Sequence, residues 1–518
     1  MTAMENRLAA RALWRNAAFV AMAALPLLTA SAHAAFVATS FEGTSQLDNC
    51  ALGQCWRPPD TMGAIGTTQF LETTNGSITI YDRATGAVLS RQDYVNFWAN
   101  AGLPGGAGGD QRVLFDHYTN RWIMNGFGAT GNLINIAVSD TANALGTWKS
   151  TQVAVLPLTS QVADYPTLSM DNKAVYIGTN NFTGDPQLFS GTSLLVIPKT
   201  DLFGGAPNTV NMTQINTTYP GGADNGFAIQ AAVNWQGNAT NTASVIAYAS
   251  YTDSLVFYKL NGVNAAGATQ TASSLIAGTD FVYPGAGRQP DGTRLVDTLG
   301  GRISANAVQF DGKIFSTTTV RADAAIGDYS AIRWTIVDAN TGVLLSSGKI
   351  QAVGYDFYQG SIAVNEFGEV VIAYNRSGIA TGDGNGDGFA DGNISFLARA
   401  YDVVGSSLVQ DGSEFLLKVS PVSDYRCGPH TILDDTCRQR WGDYAAVTFD
   451  PLDHHTFWAI GEYAANWAIS PVFGDERAVW HTYIAAISFG DGSVPEPGSL
   501  AILLAGLGAL AVTRRRKA

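Results

Sequence analysis

The stretch YDRATGAVLS at residues 81–90 recurs closely as VDANTGVLLS at residues 337–346. In both copies an Asp and a Gly, residue types that supply turn conformations, stand between apolar and β-branched runs. Each copy is therefore predicted to be a β-hairpin that joins two outer strands of a sheet. A hairpin that appears twice, far apart in one chain, indicates an all-β fold built from repeated units.

A second repeated unit places an apolar strand before an Asp or Asn turn and an aromatic-rich strand after it. Copies lie at residues 113–123 (VLFDHYTNRWI), 363–374 (AVNEFGEVVIAY) and 447–460 (VTFDPLDHHTFWAI). Strand-length runs of β-branched and aromatic residues, separated by short polar turns, predict an antiparallel strand pair at each copy.

Laid end to end, these units form seven groups of three or four strands. The last group offers only three, at 443–449, 456–463 and 482–489, and the early strand at 36–41 has no partner nearby. A propeller accounts for both features, because the N-terminal strand can complete the last blade and remove the exposed sheet edges. We therefore predict an all-β, seven-bladed β-propeller closed by its N-terminal strand, with six or eight blades or a β-sandwich pair as alternatives. The groups begin near Gln69, Gln111, Tyr165, Gln230, Arg302, Gln359 and Asp443.

The C-terminal end carries VPEPG at 494–498, an apolar run at 500–512 and the basic cluster RRRK at 514–517. This order resembles the PEP-CTERM sorting signal of Gram-negative bacteria. The resemblance implies a single transmembrane helix in the tail, processing by an exosortase, and an inner-membrane intermediate on the way to the cell surface or extracellular matrix. The residues that match the signal are Pro495, Glu496, Pro497, Arg514, Arg515 and Arg516.

The N-terminal end also indicates export. Arg7, Arg11 and Arg15 precede an apolar stretch at 17–28, and Ala32-His33-Ala34 forms an A-x-A cleavage site. We therefore predict a removable signal peptide. The predicted domains are a signal peptide (1–34), a propeller body (35–493) and a sorting tail (494–518).

The charge of the body excludes nucleic acid as a partner. The 518-residue chain has a formal net charge of −13, and residues 35–493 contain 23 basic and 41 acidic residues, a net charge of −18. Such a surface repels polyanions and favours solubility. Apolar residues make up 46% of the chain, which is ample for a large core.

The four cysteines form two close pairs, Cys50 with Cys55 and Cys427 with Cys437. In an exported protein an even number of cysteines predicts disulfides, and local pairing is the simplest of three connectivities. The spacings contain no CxxC, so zinc is not favoured. The adjacent pair His454-His455 lies in a turn and does not predict a metal site either.

Residues 383–391 (DGNGDGFAD) have the spacing of a calcium loop. The sequence resembles the loops of dockerins and thrombospondin type 3 repeats, which implies a structural Ca²⁺. It departs from them at the twelfth position, where Ile394 replaces an acid, and a solvated Asp/Gly turn is the alternative. The predicted ligands are Asp383, Asn385, Asp387, the Phe389 carbonyl and Asp391.

Polar residues gather where the predicted inner strands begin, so they should surround one mouth of the channel. An Arg cluster with Tyr and Asp is similar to sialidases, which implies that Arg grips a carboxylate. The sialidase Asp-box is not matched. A glycosidase would need two carboxylates ~5–10 Å apart, drawn here from Asp60, Asp164 and Asp443, whereas a structural role would use these groups to bind crowded strand ends. The predicted ligand-binding residues are Arg112, Asp164, Tyr165, Arg302, Gln359, Arg440, Asp443 and Tyr444.

Most of the eleven Trp, Trp235 among them, fall within strand patterns and are assigned to blade core rather than to sugar stacking. We expect an exported, surface- or matrix-associated propeller that binds an exopolysaccharide, another glycan or a further envelope component. The alternatives are an exo-acting glycoside hydrolase or lyase and a non-catalytic scaffold. No Walker loop, HExxH or G-x-S-x-G motif is present in the sequence.

Overall fold

The structure, a computed structural model, describes residues 34–490 except 107, 156–161, 184–187, 219–224, 250–251, 280, 291, 293, 430 and 432–438. One compact unit spans Ala35–Ser488. The predicted signal peptide and the sorting tail with its transmembrane helix lie almost wholly outside the described residues. Within the described part of the chain, no helix is long and apolar enough to cross a membrane.

The compact unit is a seven-bladed β-propeller. It begins with β1 (Phe36–Ser45) and α1 (Gln46–Ala51), and seven sheets follow. Blade 1 contains β2 (Met62–Ile65), β3 (Gln69–Thr74), β4 (Ser77–Asp82) and β5 (Val88–Asp93), followed by α2 (Tyr94–Asn100). Blade 2 contains β6 (Arg112–Asp116), β7 (Arg121–Phe127), β8 (Leu133–Ser139) and β9 (Trp148–Ala154). Blade 3 contains β10 (Val162–Asp164), β11 (Ser169–Met170), β12 (Ala174–Thr183), β13 (Leu188–Pro198), α3 (Lys199–Phe203) and β14 (Thr213–Thr218).

The second half of the ring repeats this order. Blade 4 contains β15 (Phe227–Ala231), β17 (Thr242–Tyr248), β18 (Leu255–Asn261), β19 (Thr269–Gln270) and β20 (Ser274–Leu275), while β16 (Val233–Asn234) runs parallel to β21 of blade 5. Blade 5 contains β21 (Val308–Phe310), β22 (Lys313–Arg321), β23 (Ser330–Asp338) and β24 (Leu344–Ile350). Blade 6 contains β25 (Tyr355–Val364), β26 (Glu369–Gly378), β27 (Ser395–Val404) and β28 (Ser407–Val419). Blade 7 contains β29 (Ala446–Phe449), β30 (Thr456–Ile469) and β31 (Glu476–Ser488).

The N-terminal strand closes the ring, as predicted. Strand β1 pairs antiparallel with β31, from Phe36 opposite Ser488 to Ser45 opposite His481, and is the outer strand of blade 7. The predicted start of the first group near Gln69 was wrong by one strand, because β2 precedes it. That inner strand is only Met-Gly-Ala-Ile, so it lacks the β-branched run by which strands are detected.

The two quoted hairpins have matching turns. The Asp82 carboxylate accepts hydrogen bonds from the N–H groups of Ala84 and Thr85, and Asp338 does the same for Asn340 and Thr341. The following Gly86 and Gly342 adopt φ of 70° and 73°, the left-handed region that glycine tolerates best. Both turns join the third and fourth strands of a blade, as predicted.

The hydrophobic core lies between neighbouring blades. Leu114 and Ile136 of blade 2, for example, belong to the same buried cluster as Val175 and Leu195 of blade 3. Burying each such side chain contributes roughly 1.5–3 kcal/mol. The predicted disulfide Cys50–Cys55 is present. Cys427 is also disulfide-bonded, and Cys437 lies outside the described residues.

The inner strands share one pattern that defines both ends of the channel. At their beginnings, five non-glycine residues adopt left-handed backbone, with φ between 48° and 56°: Asp60, Asp110, Tyr165, Ala228 and Gln359. Six positions after each of the last four, an Asx turn forms, in which a side-chain oxygen accepts the N–H two residues on: Asp116, Asp171, Asn234 and Asn365. Asp450 forms the same turn after the inner strand of blade 7. We call the first end the start mouth and the second the turn mouth.

Candidate functional site

Three residues predicted for ligand binding stack on one another at the start mouth. The guanidinium carbon of Arg112 lies 4.0 Å from the ring centre of Tyr444 and 5.3 Å from that of Tyr165. The two rings are in contact, with centres 4.8 Å apart, and all three side chains are buried. Arg112 opens the inner strand of blade 2, so its cation is held against aromatic faces supplied by blades 3 and 7.

The guanidinium group of Arg112 contacts these rings without forming hydrogen bonds to the described residues. Its three nitrogens have no hydrogen-bond partner within the described residues. A buried cation is costly unless charges or ring faces compensate it. Here the two tyrosine rings and the nearby Asp110 carboxyl do so, because Asp110 and Arg112 interact electrostatically. Arg112 therefore belongs to the floor of the site.

Two left-handed aspartates complete that floor. Tyr444 Oη donates to Asp110 Oδ2 at 2.7 Å, and the Asp443 N–H donates to Asp60 Oδ1 at 2.6 Å. Asn75 bridges the two acids, since its Nδ2 donates to Asp60 and its Oδ1 accepts the Asp110 N–H. Sequence analysis missed Asp110 and Asn75. Asp110 adjoins the Gln111-Arg112 pair that it singled out, but a left-handed backbone leaves no clear sequence signal.

The accessible rim of the start mouth is formed by charged side chains. Asp443 Oδ2 lies 4.0 Å from Arg302 Nη1, and its Oδ1 lies 3.5 Å from Arg440 Nη2. The Arg440 side chain is 51% exposed, that of Arg302 20% and that of Asp443 13%. Arg302 also lies over the ring of Tyr165 at 5.2 Å. Two cations therefore approach one carboxylate at the surface of the mouth.

Burial and mutual repulsion hold the acids of this mouth toward their protonated forms. Burial, with the charges of Asp443 and Asp110, raises the pKa of Asp60 well above its ordinary value. Burial and the charge of Asp164 raise the pKa of Asp110 to about 7. The pKa of Asp164 is raised by burial and then by Asp443. Because three arginines lie among these acids, the start mouth carries far less negative charge than its aspartates suggest.

Other predicted residues at this mouth hold the blades together. Gln359 Nε2 donates to the carbonyl of Gly442, which ties blade 6 to the segment that enters blade 7. Tyr165 Oη donates to the Asp443 carbonyl at 3.2 Å, and the Tyr165 N–H donates to Asp164 Oδ1 at 2.9 Å. The structure thus places all eight predicted ligand-binding residues, and all three candidate catalytic aspartates, around one mouth.

The predicted calcium loop forms a self-contained turn. The Asp383 carboxylate accepts hydrogen bonds from the N–H groups of Gly386, Asp387 and Gly388, at 2.7–3.1 Å. Asp391 Oδ2 accepts the Gly384 N–H at 2.9 Å. Within the described residues, no three His, Cys, Asp or Glu side chains are arranged to hold a metal ion. Calcium binding by this loop stays a prediction.

Comparison with known families explains the C-terminal end. Residues 493–517 match the family described as the PEP-CTERM protein-sorting motif. The chain carries a PEP-CTERM sorting motif. The PEP-CTERM motif implies an exported protein that is sorted to the envelope and processed by an exosortase. The predicted signal peptide lies outside the described residues.

The chain is similar in fold to known structures of low sequence identity, and no curated protein matches the chain. A protein of unknown function from Dyadobacter fermentans is 9% identical and has a TM-score of 0.37, covering 83% of this chain and 94% of its own. A subtype N10 neuraminidase-like protein of A/little yellow-shouldered bat/Guatemala/060/2010 is 8% identical, with a TM-score of 0.35, covering 66% of this chain and 96% of its own. A thermostable family-43 glycoside hydrolase is 13% identical, with a TM-score of 0.28, covering 62% and 97%. Likenesses this remote carry no functional argument.

Proposed function

We propose that this exported propeller binds an acidic glycan of the envelope or matrix at its start mouth. The observation that carries the proposal is the convergence of Arg302 and Arg440 on Asp443, at the accessible rim of the mouth. The N···O separations of 3.5–4.0 Å are longer than the ~2.7–2.9 Å of a strong charge-assisted bond. A carboxylate of a ligand can therefore compete for both guanidinium groups.

The electrostatics of the mouth support an anionic ligand. With Asp60 and Asp110 held toward neutrality, Arg112, Arg302 and Arg440 face mainly Asp164 and Asp443. The body as a whole is strongly acidic, with a net charge of −18 over residues 35–493. The start mouth is therefore a local exception, and complementary charge at such a point gives specificity.

Binding is favoured over hydrolysis by the state of the candidate catalytic acids. Asp60 is 3% exposed, and its two carboxylate oxygens already accept hydrogen bonds from the Asp443 N–H and from Asn75. A glycosidase needs two carboxyl groups that both reach the substrate. Asp60, held in the floor, is therefore excluded as one of the two, which leaves only Asp164 and Asp443 as candidates for hydrolysis.

Titration of the purified full-length protein with alginate, polysialic acid and hyaluronan, by isothermal calorimetry, tests this proposal. At least one polyanion should bind, and Arg302→Gln and Arg440→Gln should each weaken that binding about tenfold or more. The matched control is Arg321→Gln, since Arg321 is 43% exposed and paired with Asp328 at 3.0 Å.

Absence of binding to every acidic glycan, or unchanged binding by both variants, would overturn the proposal. Release of reducing ends during the titration that disappears in Asp443→Asn would replace it with hydrolysis.

A further inference from the structure

An open cleft lies at the other end of the channel. It has a volume of about 470 Å³ at the turn mouth, within the ~300–1,000 Å³ of small-molecule sites. Its walls are the turns that follow the inner strands of blades 2, 4, 5, 6 and 7. The lining includes Tyr118, Asn120, Trp235, Gln309, Phe310 and His454.

The floor of the cleft is an uncharged aromatic stack. The His117 ring lies parallel to the Trp235 indole, with centres 4.4 Å apart and planes at 11°, and meets Phe449 edge-on at 4.7 Å. Burial lowers the pKa of His117 to about 3, with smaller effects from His454 and Lys199. Its imidazole is therefore neutral at physiological pH, and the floor offers no positive charge to an anion.

The turn that carries Trp235 is held in place by the neighbouring blade. Tyr118 Oη donates to the Asn234 carbonyl at 3.0 Å and accepts the Gly237 N–H at 2.7 Å. Two hydrogen bonds from blade 2 thus clamp the residues on either side of Trp235 and Gln236. An indole fixed in this way loses little conformational entropy when a ligand packs against it. Trp235 stands in this turn, packs against the core cluster of blades 2 and 3, and is only partly buried, so it also lines the cleft.

Several polar groups of the cleft are available to form hydrogen bonds with a ligand. The side chains of Asn120 and Gln309, the Trp235 indole N–H and Gln236 Nε2 make no hydrogen bond to another described residue. Carboxamides both donate and accept, as does each hydroxyl of a sugar. An aromatic face beside free carboxamides matches a pyranose ring, which has apolar C–H faces and a polar hydroxyl edge.

The two mouths are separated by a packed channel. Apolar residues of the inner strands, such as Ile65, Phe115, Val233 and Val447, line a void of about 20 Å³ within the channel. That volume holds about one water molecule. A ligand at the turn mouth cannot reach the arginines of the start mouth, so the two ends can bind different molecules.

We propose that the turn mouth is a second binding site, for an uncharged glycan, in which a pyranose ring packs on Trp235 while Asn120 and Gln309 bind its hydroxyl groups. This site does not depend on the acidic-glycan site. Glu366 and His454 bond to each other at its edge.

The test is affinity electrophoresis and calorimetry of the full-length protein with dextran, a mixed-linkage β-glucan, galactomannan and xylan oligosaccharides. A neutral glycan should bind, and Asn120→Ala and Gln309→Ala should each weaken binding about two- to tenfold. Trp235→Ala should abolish it. Trp56→Ala, at an indole that is 54% exposed and bonded to Gln54, is the aromatic control.

If Trp235→Ala fails to fold by circular dichroism, the two carboxamide variants decide, since neither side chain bonds to other described residues. Binding of no neutral glycan on the panel overturns the proposal. Binding that survives undiminished in Asn120→Ala and Gln309→Ala also overturns it.

Discussion

The two ends of the channel are built by the same inner strands and differ in chemistry. At the start mouth, Arg112 is sealed beneath Tyr165 and Tyr444, and Arg302 and Arg440 flank one carboxylate. At the turn mouth, a neutral imidazole stacks on an indole beside uncommitted carboxamides. The first end suits an anion that displaces an ion pair, and the second suits an uncharged ring.

This difference shows that the position of a residue along the inner strand determines the mouth at which its side chain lies. The left-handed residue at the beginning of an inner strand aims its neighbours at the start mouth. The Asx turn six residues later presents the residues that follow it, His117 and Trp235 among them, at the turn mouth. The Asx oxygen is used by the backbone, so the adjacent positions are free to vary between blades.

The largest expected effect concerns the buried ion pairs of Arg426 beside the start mouth. Arg426 is buried and pairs with Asp424 at 2.6 Å and with Glu462 at 3.4 Å. Arg426→Met leaves two buried acids without their cation, which should cost about 3–5 kcal/mol of unfolding free energy in urea titration. Trp235→Ala, at the partly exposed turn mouth, should cost less. An equal loss in both variants would contradict the larger contribution to stability assigned to these buried ion pairs.

The pH dependence of binding should separate the two ends next. The pKa of Asp110 is about 7, so raising the pH from 6 to 8 adds a negative charge beneath the start mouth. Affinity for an acidic glycan should fall about two- to tenfold over this range by calorimetry. Binding of a neutral glycan should not change, because His117 stays neutral throughout. Asp110→Asn should remove the pH response, and a response that persists in this variant would exclude Asp110 as its source.

The same group should affect stability. The folded pKa of Asp110 lies above its unfolded value near 3.8, so the native state binds the proton more tightly. Stability contributed by this proton is therefore present below pH 4 and is lost as the pH rises from about 4 to about 7. Asp110→Asn should stabilise the protein at pH 8 by about 1–3 kcal/mol, measured by urea unfolding. A variant that is less stable at pH 8 than at pH 5, by the wild-type margin, would contradict this assignment.

The smallest expected effect concerns calcium. The loop at residues 383–391 follows β26, whose end at Gly378 pairs with Tyr355 at the beginning of β25, so it lies on the start-mouth face. We propose weak calcium binding here, which should raise the melting temperature by about 1–2 °C in millimolar Ca²⁺. Asp383→Ala with Asp387→Ala should remove the shift, measured by differential scanning fluorimetry. A shift that remains would place the ion elsewhere.

Much of the fold could be predicted because the turn residues that separate the strands recur along the sequence. The Asp and Gly of the quoted hairpins determine the conformation of each turn. The strand at 36–41 has no partner nearby and the last predicted blade has only three strands, so pairing of this strand with that blade was predictable. Strand β2 was missed because Met-Gly-Ala-Ile has little β propensity, and its pairing comes from the ring. Asp110 and Trp235 were missed for a related reason. Their roles arise where different blades meet, and neither a left-handed φ nor a cross-blade clamp such as that of Tyr118 is visible in local sequence.

The central claim is that the two mouths bind different glycans independently. Its most direct test is calorimetric titration of the full-length protein with an acidic glycan, in the absence and presence of a saturating neutral glycan. Two independent mouths predict the same affinity and the same stoichiometry in both titrations, with Arg440→Gln weakening only the acidic ligand and Gln309→Ala only the neutral one. Competition between the two glycans, or one variant that weakens both, would contradict the claim.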